Sequence, residues 1–313
     1  MSDSAEISRT QAWVMAARPH TLPAASSPVL VGVGLALGLG VFEPLPAVAA
    51  LVGALLIQVG TNFANDYYDA EKGADTEERE GFTRVTQAGL IPAQTVKRAM
   101  YATFLASVVV GLYLVAVGGV PILVIGVLSI LSGIAYTGGP YPLGYHGLGD
   151  VFVFVFFGVV AVVGTVYVQA AAAAAGVFPV APPAGTLPTA AFAASVAVGT
   201  LNTAILVVNN LRDVDTDRKA GKNTLAVRFG RTGARAEYVL LLVVAYLVPV
   251  YFFVSRAGWD AAVLLPLLTL PLAATVTRTV LRYDDGEHLD PALSTTGKLL
   301  FAFAALFAVG LAL

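Results

Sequence analysis

Between Asn209 and Leu225 the chain reads Asn-Asn-Leu-Arg-Asp-Val-Asp-Thr-Asp-Arg-Lys-Ala-Gly-Lys-Asn-Thr-Leu. If a helix continues through this stretch, Asn209, Asp213 and Asp217 fall at i, i+4 and i+8, one row of oxygen ligands suited to a hard divalent cation. Arg212, Arg218, Lys219 and Lys222 surround the row. Carboxylates alone suit a bare metal; carboxylates ringed by Arg and Lys suit a metal that arrives with phosphate. Asp215 lies off that face and is the acidic residue expected to matter least. An earlier stretch, Asn62 to Asp75, repeats the arrangement: superposing Asn62 on Asn209 aligns Asp66 with Asp213, and Asn65, Asp66 and Asp69 cluster on adjoining turns. Two such groups facing each other at low dielectric repel strongly unless cations sit between them. Two Mg²⁺ ions bridging a diphosphate satisfy both, with Arg84 and Lys222 neutralising the remaining phosphate charge.

The elements that carry these groups follow from composition. Of 313 residues, 57% are hydrophobic and 12% charged, and the mean hydropathy is +0.79, values of a polytopic membrane protein rather than a soluble one. A net charge of −2 gives no reason to expect nucleic acid. The absence of cysteine excludes disulfides, thiolate metal sites and a Cys nucleophile. Met1 to Gln11 is polar and leads into no apolar run directly, so no cleavable signal peptide is expected.

A spanning helix takes about 20 mostly apolar residues. Nine stretches qualify: 22–41, 46–66, 96–117, 119–137, 150–174, 189–209, 237–255, 260–281 and 295–313. Only Gly118, Gly119, Val120 and Pro121 separate the third from the fourth. The Asp-rich ends fall on helices two and six, which suggests two four-helix halves plus a ninth helix within one membrane domain, 1–313. With nine passes, every Lys and Arg except Arg256 falls on the side of the N-terminus. The reading is an all-α polytopic protein of the cell membrane, with its N-terminus and its chemistry facing the cytoplasm.

Asn65-Asp66-Tyr67-Tyr68-Asp69 and the run from Asn210 to Lys222 resemble the two Asp-rich motifs of the UbiA superfamily of intramembrane prenyltransferases. Within it, Arg18 to Ala24, Tyr136 to Pro140, Gly147 to Asp150 and Lys222 to Arg228 resemble the 1,4-dihydroxy-2-naphthoate branch. The similarity spans nearly the whole chain. It implies a UbiA-type bundle that transfers a polyprenyl group from polyprenyl diphosphate to 1,4-dihydroxy-2-naphthoate with loss of CO₂. By that resemblance Asn65, Asp66, Asp69, Asp213 and Asp217 hold Mg²⁺, the four aspartates being the catalytic set. Arg84, Arg212 and Lys222 lie near the diphosphate oxygens, and the tail runs in an apolar channel open to membrane lipid. In the family the third aspartate follows sooner than Asp75 follows Asp69.

On the acceptor side, Arg18 is placed to recognise a carboxylate, Tyr136 to hydrogen-bond acceptor or diphosphate, and His146 to accept a proton. Gln58 and Gln169 are polar groups within spans, lining the cavity or bonding a neighbouring helix. Phe152, Phe154, Phe156 and Phe157 could border the isoprenoid channel, with lipid-facing packing the favoured reading. The same fold also suits other acceptors, among them 4-hydroxybenzoate, homogentisate, a tetrapyrrole or a glycerol phosphate ether. A cation-coupled transporter, the competing class, places its ionisable groups near the midplane of broken helices. Here they gather at one surface.

Overall fold

An apolar chain in hydrocarbon must satisfy its backbone internally, and a helix does this within one segment. The computed structural model describes residues 7–71, 84–174, 177–255 and 258–313, and among these all regular structure is helical. Asp75 and Arg256 lie outside the described residues. A short helix α1 (Arg9–Ala17) ends at Arg18 in the left-handed region, φ 52°, and turns into α2 (Leu22–Gly38). Then come α3 (Pro44–Glu71) and α4 (Ala93–Ala135). The next pass is α5 (Gly149–Val153), a π-helical stretch Phe154–Val160, and α6 (Ala161–Ala173). After α7 (Thr189–Arg212) and the short α8 (Val214–Lys219), the chain continues through α9 (Leu225–Val254), α10 (Leu270–Arg282) and α11 (Gly286–Ala312). A 3₁₀ stretch, Ala261–Thr269, feeds α10.

Eight helical stretches among the described residues are long and apolar enough to cross a membrane, and α4, at 43 residues, is one of them. At 1.5 Å per residue α4 would reach about 65 Å, twice a hydrocarbon core of roughly 30 Å. It breaks instead at Gly119, with φ 64° and ψ −148°. Only glycine suits both that conformation and the contact, since a Cβ there would stand 1.8 Å from the Pro179 carbonyl oxygen. The break is fastened by α6 and the segment beyond it: Tyr167 Oη of α6 donates to Gly118 O, Val120 N donates to Pro179 O, and Phe178 N to Ala116 O, all at 2.8–3.0 Å. Two limbs result, so the described residues make nine passes, as the sequence led us to expect.

Several helices run further than their apolar stretches. The helix α3 continues to Glu71, α9 begins at Leu225, and α11 begins at Gly286. Apolar content marks only the lipid-embedded part, whereas hydrogen-bonded caps set the true ends. Thr224 Oγ1 accepts from Val227 N, and Asp285 Oδ1 from His288 N. One large apolar cluster joins α2, α6, α7, α9, α10 and α11; a second joins α1, α3 and the first limb of α4. Of the long passes α7 is the most buried and α4 the least. The two Asp-rich stretches therefore come from different apolar clusters and meet at the seam between them.

Candidate active site

The first group sits on the last turns of α3. Asp66 and Asp69 are buried, at 1% and 2% exposure, so each needs compensation. Asp66 Oδ2 accepts from Thr86 Oγ1 at 2.6 Å and Thr86 N at 3.2 Å. Asp69 Oδ2 pairs with Arg84 Nη2 at 2.6 Å, and its Oδ1 accepts from Tyr145 Oη at 2.8 Å. Asn65 Oδ1 accepts from Thr137 Oγ1 at 3.0 Å. Asn62, aligned with Asn209 by spacing, serves the fold instead: its Nδ2 donates to Ala17 O and Thr21 Oγ1.

In the second group the helix bends but keeps its row. Asp213, at φ −91° and ψ 8°, separates α7 from α8, yet Asp217 N still donates to Asp213 O at 2.7 Å. The turn after α8 passes through Gly221 at φ 73° and returns Lys222 to Asp217, Nζ to Oδ1 3.6 Å. Arg212, which the sequence reading placed near the diphosphate with Arg84 and Lys222, is engaged with neighbouring side chains. Its Nε and Nη2 grip Asp213 at 2.7 and 2.8 Å, its Nη2 also reaches Asn209 Oδ1 at 2.9 Å, and its Nη1 meets Asp290 at 2.5 Å. Asp215 faces outward and pairs with Arg231 at 2.8 Å, a bond that holds its carboxyl below the usual range.

Tyr136 stands between the groups. The carboxylates of Asp150, Asp217 and Asp69 lie near its phenol. Tyr145 reaches both groups, its hydroxyl on Asp69 and its ring 4.8 Å beneath Lys222 Nζ. The His146 ring stacks on exposed Tyr141 at 3.7 Å, and its carbonyl accepts from Arg228. Arg18, half-buried, supplies a backbone carbonyl to Thr21.

Below this cluster lies a cavity of about 430 Å³ among α2, α3, α4, α5 and α6. Asn65, Tyr136 and Gln58 line its polar end. Phe152, Phe156 and Phe157 line it too, which corrects their reading as lipid-facing packing. Phe156 and Phe157 lie within the π-helical stretch and Phe152 in the turn before it. Gln58 belongs to the wall with its amide orientation fixed. Thr21 Oγ1 donates to Arg18 O, so it can only accept from Asn62 Nδ2 and Gln58 Nε2. Gln169 is fully buried, bonding Thr165 O and Glu43 N instead.

Among the described residues no three Asp, Glu or His side chains converge as a ready metal cage. The reason is visible in the pairs: each carboxylate carries a base or a hydroxyl. The donors nevertheless fit Mg²⁺, being hard oxygens throughout, with cations beside them that a diphosphate can engage. Thr86, Tyr145 and Asp290 escaped sequence reasoning. They come from loops and from a distant helix, where no spacing links them to the aspartates.

A sequence profile described as the UbiA prenyltransferase family matches residues 25–303. The chain belongs to this family. UbiA relatives of this chain include the Escherichia coli K12 protein named 1,4-dihydroxy-2-naphthoate octaprenyltransferase, 41% identical over 98% of this chain and 96% of that one. The UbiA homologue of Archaeoglobus fulgidus, solved with DMAPP and Mg²⁺, has a TM-score of 0.61 at 18% identity, covering 95% of this chain and 99% of that one. The Aeropyrum pernix UbiA homologue gives 0.69 at 15%, covering 91% and 97%. At such low identity the two UbiA structures share the fold.

Proposed function

We propose that the protein transfers a polyprenyl group from polyprenyl diphosphate to 1,4-dihydroxy-2-naphthoate, releasing CO₂ and diphosphate and giving demethylmenaquinol. The observation that carries this reading is the meeting of two buried Asp groups, with their bases, at the mouth of an apolar cavity. The acceptor assignment draws on the full-length similarity to the E. coli naphthoate enzyme.

In this reading Asn65, Asp66, Asp69, Asp213 and Asp217 would hold the Mg²⁺, two ions, that binds the diphosphate. Bound there, the metal neutralises charge on the diphosphate oxygens. Arg84 and Lys222 move from carboxylate to phosphate as the substrate enters, and Arg212 acts close by through Asp213. The C1–O bond of the allylic substrate breaks with its electron pair leaving on diphosphate, and donors already in place stabilise that charge. The ring carbon bearing the carboxylate then bonds to C1, and the C–CO₂ bond electrons restore the aromatic ring. Tyr136 donates a hydrogen bond beside the reacting centre, while Arg18 and His146 serve the acceptor's carboxylate and hydroxyl. The active face lies toward the cytoplasm, and the prenyl tail borders membrane lipid.

The test is purified protein with Mg²⁺, a long prenyl diphosphate and a panel of acceptors, read by mass spectrometry. Demethylmenaquinol, or the quinone it becomes on oxidation in air, is expected together with CO₂. Turnover of 4-hydroxybenzoate with none of the naphthoate would overturn the acceptor and leave the family standing.

A further inference from the structure

We propose that Tyr145 is a positioning residue that couples the two Asp groups, orienting Asp69 through its phenol and holding Lys222 with its ring. The inference rests on the Mg²⁺–diphosphate reading above. Tyr145 ends the 3₁₀ turn Leu143–Tyr145 in the connection between α4 and α5, so it belongs to neither Asp-rich stretch. Three separate links nevertheless run through it. The hydroxyl donates to Asp69 Oδ1 at 2.8 Å. The ring face lies 4.8 Å from Lys222 Nζ. The backbone carbonyl accepts from Asn223 N at 2.8 Å, tying this turn to the one that returns Lys222 to Asp217.

Each link does separate physical work. Arg84 on Oδ2 and Tyr145 on Oδ1 fix the Asp69 carboxylate about its own axis, and Tyr145 keeps its hold when Arg84 turns to phosphate; such outer partners of a ligating carboxylate tune its affinity for metal. At 3.6 Å, Lys222 and Asp217 attract without a hydrogen bond, so that pair alone fixes the ammonium weakly. The aromatic face supplies the missing constraint through cation–π attraction. A tyrosine side chain has few rotatable bonds, and it therefore acts as a strut of set length between the first carboxylate group and the second group's base.

The two attachments are separable by substitution. Tyr145→Phe removes the hydroxyl and keeps the ring; Tyr145→Leu removes both. Mn²⁺ binding is read by electron paramagnetic resonance with saturating prenyl thiolodiphosphate, and thiolodiphosphate binding by calorimetry at saturating Mg²⁺. For Tyr145→Phe we expect Mn²⁺ affinity to fall about tenfold while thiolodiphosphate affinity stays within about threefold. For Tyr145→Leu both fall, the second by about tenfold as Lys222 loses its seat. Unchanged Mn²⁺ affinity in the Phe variant overturns the proposal. So does an equal loss of both affinities in that variant together with a lower melting temperature, which marks a merely structural role. Should the Leu variant fail to fold, the Phe variant decides alone. Wild-type protein that binds neither probe would overturn the diphosphate reading itself, and the coupling with it.

Discussion

At the scale of residues, the site consists of acidic groups already compensated by neighbours. Asp217→Ala removes a ligand oxygen and should lower turnover by at least about 100-fold in the prenyl-transfer assay. Asp213→Ala should do the same and also lower the melting temperature, because buried Arg212 keeps only Asp290 as a carboxylate partner. Asp290→Asn frees Arg212 to lean wholly on Asp213, which makes that carboxylate a poorer metal ligand. The Mg²⁺ concentration for half-maximal rate should rise roughly threefold to tenfold. Tyr136→Phe removes a hydrogen-bond donor at the polar end of the cavity and should lower the rate in the same assay about tenfold.

At the scale of elements, the helix row of Asn209, Asp213 and Asp217 was legible because periodicity places residues four apart on one face. That α7 ends at Arg212 and α8 begins again was not, since the break lies in one backbone turn at Asp213. Apolar content revealed the passes but not their polar extensions, and Asp290 rides on such an extension of α11. The role of Tyr145 was equally hidden, because a short loop brings it beside Asp69 across a separation that no local pattern records. The Gly119 break was legible from length alone: one apolar helix cannot be twice the thickness of the bilayer. Replacing it, Gly119→Ala, forces a positive φ on a side chain that meets Pro179 O. A loss on the order of 2 kcal/mol or more is expected, measured as a lower melting temperature in detergent. Rate per folded molecule should persist, because none of the aspartates lies nearby in the chain.

At the scale of the whole molecule, the one-sided distribution of Lys and Arg supports the orientation we propose. The chain has no cysteine, so single reporters can test it. Ala220→Cys, in the turn after α8, should resist a membrane-impermeant thiol reagent in right-side-out vesicles, whereas Phe42→Cys, between α2 and α3, should be labelled. The reverse pattern would invert the topology and leave the site chemistry untouched.

The exposed α4 has a further meaning for how substrate is supplied. Val108, Leu112, Leu123 and Val127 line the cavity and are 42–61% exposed. The protein does not close the cavity on that side, and in the proposed reading the bilayer completes the container. A long tail need not be swallowed whole; the part that exceeds the cavity can stay dissolved in lipid, at the same transfer free energy as before binding. Recognition then concentrates on the head end of the molecule. The concentration that governs turnover is accordingly the surface density of prenyl diphosphate in the membrane, and diluting vesicles with inert lipid should slow the enzyme even when the bulk concentration is unchanged.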